Sequence, residues 1–184
     1  MEKRGILLLG VPGSGKGTQA KLLKNYGFIQ ISPGEIIRKA IDKKDKKIIS
    51  YKREVESGEL IPDRIIFDLL EENMRNKDRN YILDGAVRDI KQAKELVKRK
   101  LFDKTVFFSL SEEEAKKRLI GRAKKERRKD DSPEIILNRF KEYKDKTKPI
   151  LDYLKQTSEF HEIDASASIK KIHDEVLRVL KLKK

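Results

Sequence analysis

Five short apolar runs recur along the chain, at residues 6–9, 28–31, 81–83, 106–108 and 160–163, and amphipathic stretches fill the intervals. Runs this short, rich in branched and aromatic side chains, predict strands buried on both faces of a parallel sheet. Between them, apolar residues recur at helical spacing over 15–26, 35–41, 46–57, 63–75, 89–100 and 112–120. A longer helix is predicted after Ser132 and a last one after Ser168. Ser132-Pro133-Glu134 reads as an N-cap, a proline at the first helical position and an acid in the first turn. Strand–helix alternation predicts a three-layer α/β fold, a five-stranded parallel sheet flanked by helices. Two stretches interrupt it: an all-helical insertion over 32–61 and the charge-dense segment 122–131. Insertions at the carboxyl edge of such a sheet are natural lids. The predicted organisation is one domain with a core of 1–31, 62–121 and 132–184, an insertion at 32–61 and a short lid at 122–131.

Composition changes this picture little. With 184 residues, 37% hydrophobic and 41% charged, the chain has enough for one sizeable core under a strongly solvated surface. No apolar run approaches the roughly 20 residues needed to span a bilayer. The first apolar run ends in a glycine loop rather than a small-residue cleavage site, so it is not read as a secretory leader. The absence of cysteine excludes disulfides and thiolate metal sites and is compatible with the cytoplasm. A net charge of +14 leaves two readings open, attraction to a polyanion such as RNA or phosphate-handling arginines on a lysine-rich, solvated surface. Neither His161 nor His173 has a partner at metal-ligand spacing, and both are read as structural. Oligomeric state is not legible.

Candidate chemistry concentrates near the N-terminus. Leu9 ends a predicted strand, Gly10-Val11-Pro12-Gly13-Ser14-Gly15-Lys16-Gly17-Thr18 follows, and Gln19-Ala20-Lys21-Leu22-Leu23 opens a helix. Glycines at this spacing let successive N–H groups point inward at phosphate oxygens, and the helix N-terminus adds a favourable dipole. Lys16 is placed to reach the β- and γ-phosphates of a nucleoside triphosphate. Gly17 occupies the place where the general pattern has Ser or Thr, and Thr18 follows it.

This loop resembles the version in adenylate kinases and their nucleoside monophosphate kinase relatives, a branch of the P-loop NTPase fold. Further segments match in order. Ser32-Pro33-Gly34-Glu35-Ile36-Ile37-Arg38 resembles the family's Ser-Thr-Gly-Asp-x-x-Arg, and Gly58-Glu59-Leu60-Ile61-Pro62-Asp63 its Gly-x-Leu-Val-x-Asp. Leu83-Asp84-Gly85-Ala86-Val87-Arg88 resembles its Leu-Asp-Gly-Phe-Pro-Arg. Arg118 to Arg122 is close to the segment opening the family lid. Arg128-Lys129-Asp130-Asp131, with Arg139, is similar to the segment closing it. The resemblance covers nearly the whole chain.

The resemblance implies ATP on Gly13, Ser14, Gly15, Lys16, Gly17 and Thr18, with Arg118 packed over the adenine beside a loop containing Ala167. It implies AMP on Ser32, Pro33, Arg38, Glu59, Leu60, Ile61, Gly85, Arg88 and Gln92, with Gln92 at the adenine edge. Arg88, Arg122, Arg128 and Arg139 would act with Lys16 on the transferring group, with Asp130 in a supporting role. Asp84, with Thr18, would hold Mg²⁺ through water rather than directly. Between Arg122 and Arg128 there is no room for the zinc-bearing extra domain of long-lid relatives, so no structural zinc is expected. Three departures bear on the acceptor: Pro33 replaces Thr, Glu35 replaces Asp, and Ala86-Val87 replace Phe-Pro. The activity implied is ATP plus AMP giving two ADP. A UMP or CMP kinase, an RNA- or ribosome-associated ATPase and a nucleotide-binding regulator of the same fold remain as alternatives.

Overall fold

The computed structural model of the chain describes residues 5–57, 59, 61–74, 80–126 and 132–182. The central strand β1 (Gly5–Gly10) is buried at every position. It pairs in parallel with β3 (Tyr81–Asp84) on one side and β4 (Lys104–Ser109) on the other. Strands β2 (Ile29–Ile31) and β5 (Glu159–Asp164) complete a five-stranded parallel sheet in the order β2-β3-β1-β4-β5.

The period of two along β1 sorts its side chains into two cores. Ile6 and Leu8 pack with Ala20 and Leu23 of helix α1 (Lys16–Leu23) and with Ile172 and Val176 of α9 (Ile169–Val179). Leu7 and Leu9 face the opposite layer. There they meet Leu70 of α4 (Asp63–Asn73), Leu96 of α5 (Ile90–Lys98) and Leu154 of α8 (Leu151–Thr157). Three layers follow, as the uninterrupted apolar runs require. Each fully buried Leu or Ile contributes about 1.5–3 kcal/mol relative to an exposed one. No helix among the described residues is long and apolar enough to cross a membrane.

Three helices differ most from their expected extents. The predicted helix over 46–57 is a 3₁₀ turn at Ile49–Tyr51 followed by α3 (Lys52–Ser57). Helix α2 (Pro33–Asp42) ends before it. Lys44 takes a φ of 54°, and Asp45 Oδ1 accepts from the Lys47 backbone N–H at 2.8 Å, a local bond that competes with the helical ladder. The long helix after Ser132 is broken into α7 (Pro133–Glu142), a wide π turn (Tyr143–Thr147), a 3₁₀ turn (Lys148–Ile150) and α8. Pro149 has no N–H to continue the ladder. The cap read at Ser132 is present, its hydroxyl accepting from Ile135 N at 3.4 Å. Helix α6 (Glu112–Glu126) runs six residues past its expected end at 120, into the stretch assigned to the lid. Residues 127–131 lie outside the described ones.

The connection leaving β1 leads to one side of the sheet and that leaving β4 leads to the other. The carboxyl ends of β1, β3 and β4 therefore open onto a crevice where ligands of α/β folds gather.

Candidate functional site

Between β1 and α1 the chain must reverse within a few residues. Gly13 and Gly15 do this with φ of 88° and 92°. At Gly13 an added Cβ would lie 2.6 Å from the Ala115 carbonyl oxygen, so backbone conformation and space both demand glycine. The loop closes with Ser14 N–H donating to Val11 O at 3.1 Å. Lys16 Nζ donates back across it to Gly10 O at 2.7 Å and Val11 O at 3.1 Å.

The electrostatics around Lys16 report which side chains converge there. Burial pushes its ammonium down to about 8; Arg139, Arg88 and Arg122 act in the same direction, and Asp84 opposes them. Asp84 ends β3, buried, and Gly17 passes so close that an added Cβ would lie 3.4 Å from its Oδ2. Burial raises its carboxyl, while Lys16 and a 3.1 Å bond from Gln30 Nε2 hold it down. Lys16, Arg38, Arg88, Arg122 and Arg139 therefore outnumber the carboxylates of Asp84 and Glu35 here, an excess of positive charge suited to a polyphosphate.

Two cavities adjoin at this point. The larger, about 820 Å³, is lined by Gly13, Gly15, Lys16, Gly17, Thr18, Ser32, Asp84, Arg118, Arg122 and Ala167. The smaller, about 60 Å³, has an aliphatic wall of Pro33, Ile37, Val55, Ile61, Ile66 and Ala86, with Glu59 and Gln92 as polar members. Gly34, Arg38, Gly85, Arg88 and Arg139 line both. A Cβ on Gly34 would sit 3.4 Å from Arg38 Nη1 and 3.8 Å from Arg88 Nη2, so both guanidiniums meet over the first turn of α2.

At the far end of the larger cavity Arg118 is fixed on α6. Its Nε donates to Glu114 Oε1 at 3.1 Å, and its Nη2 reaches Ser166 O at 3.5 Å beside Ala167. Ser14 is buried under the loop, where its hydroxyl is 3.4 Å from Lys16 Nζ. The other expected site residues line one cavity or both, except Leu60, Arg128 and the supporting Asp130, which lie outside the described residues. Neither His161 nor His173 lines either cavity; they bond Glu159 and Gln19, each at 2.9 Å.

Ala86 and Val87, which stand where the resemblance leads to Phe-Pro, are buried against Leu83 and Ala93. The stiffness a proline would lend comes from elsewhere. Arg88 N–H donates to Gln92 Oε1 at 2.8 Å, and Arg88 O accepts from Thr147 Oγ1 at 2.7 Å. The guanidinium thus projects from a backbone held on both sides.

Sequence reading missed three supporting residues. Gln30, which holds Asp84, was detectable as a lone amide inside an apolar strand. Asp63, which accepts from Gln92 Nε2 at 2.6 Å, stood in a matching motif without a role. Thr147 offered no local clue, because its partner is 59 positions away.

Known proteins resemble this chain over nearly its whole length. Residues 8–159 match the profile of a family described as Adenylate kinase. An adenylate kinase of Leptospira biflexa serovar Patoc is 36% identical over 181 residues, covering 94% of this chain and 97% of that protein. One from Mycobacterium tuberculosis is 38% identical over 183 residues, covering 95% and 98%. One from Mycobacterium marinum is 37% identical over the same length and coverage.

Proposed function

The chain belongs to the adenylate kinase family and is a nucleoside monophosphate kinase, and on that premise we propose how its two cavities divide the reaction ATP + AMP ⇌ 2 ADP. The larger cavity takes ATP, the smaller one takes the base of AMP, and the arginines lining both hold the phosphoryl group in transit. The observation that carries this is the shared wall of Arg38, Arg88 and Arg139 between a glycine-loop cavity and an aliphatic one.

In this reading the loop amides and Lys16 hold the β- and γ-phosphates, and Arg118 covers the adenine beside Ala167. Arg38 and Arg88 clamp the AMP phosphate, as planar guanidiniums do in two-pronged fashion. Arg122 and Arg139, with Arg128, neutralise the charge on the transferring group. An AMP phosphate oxygen attacks the γ-phosphorus in line, the bond to the β–γ bridging oxygen breaks, and ADP leaves. The attacking oxygen is already anionic, so no side chain need remove a proton. Catalysis then reduces to positioning and charge neutralisation.

Thr18 and Asp84 suit Mg²⁺ held through its water shell: a hydroxyl and a carboxylate on one cavity wall are the hard oxygen donors this ion prefers. When bound, the ion would neutralise phosphate oxygens. Folding of the insertion 32–61 and the short lid 122–131 over the nucleotides would exclude water as a competing acceptor. The cytoplasm is the proposed setting, in keeping with a chain that has no cysteine.

The test is ADP formation from MgATP with AMP, UMP, CMP, GMP or no acceptor. Turnover with AMP that is lost in Lys16→Met and Arg88→Ala is the expected result. Preference for a pyrimidine acceptor, or hydrolysis without acceptor, overturns the assignment of the smaller cavity.

A further inference from the structure

The smaller cavity is lined by one neutral amide, Gln92, and its orientation is set by the Arg88 backbone and by Asp63, which is not among the cavity's lining residues. Gln92 is buried on α5, whose first turn is capped by Asp89 accepting from Gln92 N–H at 2.9 Å. Its Oε1 accepts from Arg88 N–H at 2.8 Å, and its Nε2 donates to Asp63 Oδ1 at 2.6 Å. A backbone N–H only donates and a carboxylate only accepts, so the amide cannot turn over without facing two like partners. Asp63 is the first residue of α4, where the insertion rejoins the core, 29 positions from Gln92.

We propose that Asp63 is a positioning residue that selects adenine over 6-oxopurines by locking the Gln92 amide; this rests on reading the smaller cavity as the acceptor-base site. With its outer bonds made, the locked amide retains one N–H to give and one lone pair to accept. Adenine presents the matching edge, with N1 accepting and the 6-amino group donating. Hypoxanthine presents the reverse, with O6 accepting and N1–H donating. A turned amide would suit hypoxanthine, and the Asp63 carboxylate forbids that turn, because it would then face Oε1. Left unpaired, a buried polar group is costly, which is how such a site discriminates.

The test compares kcat/KM for AMP and IMP, which differ only at this edge, in the wild type, Asp63→Ala, Asp63→Asn and Gln92→Ala, with melting curves to check folding. The expected result is that Asp63→Ala narrows the AMP-to-IMP ratio about tenfold, through KM for the monophosphate, with KM for ATP unchanged. Asp63→Asn, which can also donate, narrows it less and carries the test if the alanine variant does not fold. If Asp63→Ala lowers AMP and IMP alike while Gln92→Ala narrows the ratio, Asp63 is merely structural and the proposal fails. If Gln92→Ala leaves the ratio unchanged, the base-site assignment fails and takes the proposal with it. A wild type that does not use AMP overturns the proposed function itself.

Discussion

Lys16 is held close to losing its charge, and that makes ATP binding pH-dependent in a way that can be sized. Its ammonium is pushed down to about 8, first by burial and then by Arg139, Arg88 and Arg122. A lysine with a lowered value is charged below it and neutral above it. In the free protein about half of Lys16 is therefore neutral at pH 8, about one-tenth at pH 7 and about nine-tenths at pH 9. A triphosphate laid against it favours the charged form and restores the proton. Because only the charged fraction is competent, ATP affinity falls roughly tenfold between pH 7 and 9, about 1.4 kcal/mol. Binding at pH 8 takes up about half a proton per site. Isothermal titration calorimetry in buffers of different ionisation heat measures both quantities. Lys16→Arg, which stays charged throughout, should show neither the fall nor the uptake. Flat affinity from pH 7 to 9, or the same fall in Lys16→Arg, would refute the reasoning.

Two other expectations follow from single contacts. Thr147→Val removes the 2.7 Å bond to the Arg88 carbonyl. It should cost about 1 kcal/mol of stability in urea unfolding and weaken AMP use more than ATP use, while Thr147→Ser restores both. Equal loss for both nucleotides would contradict a role through Arg88. Gly13→Ala forces a Cβ to within 2.6 Å of Ala115 O at a φ of 88°. It should lower stability by more than 1 kcal/mol and abolish ATP binding, read by thermal melting with and without MgATP. A variant that binds ATP normally would mean that the loop tolerates a shift this geometry denies.

The extent to which the chain could be read as a sequence depended on how local each feature is. The apolar run at residues 6–9 announces a strand buried on both faces, because each side chain is recorded with its neighbours and alternates between two cores. The glycine loop was equally legible, since positive φ at Gly13 and Gly15 and the return of Lys16 onto Gly10 and Val11 all lie within a few residues. Arg38, Arg88 and Arg139 could be named from their motifs, but nothing along the chain says that they share a wall. That depends on the order β2-β3-β1-β4-β5, which brings the ends of β1 and β3 together beneath α2 and α7. The supporting bonds were least visible. Gln30 holds Asp84 across 54 positions, Thr147 holds Arg88 across 59, and Asn138 reaches Ser57 O across 81. Periodicity and motif spacing determine which elements form and where phosphate can be held, because those depend on near neighbours. Which side chains meet across the site is decided only when the sheet is ordered and the helices packed, since only then do remote donors and acceptors come within hydrogen-bonding distance.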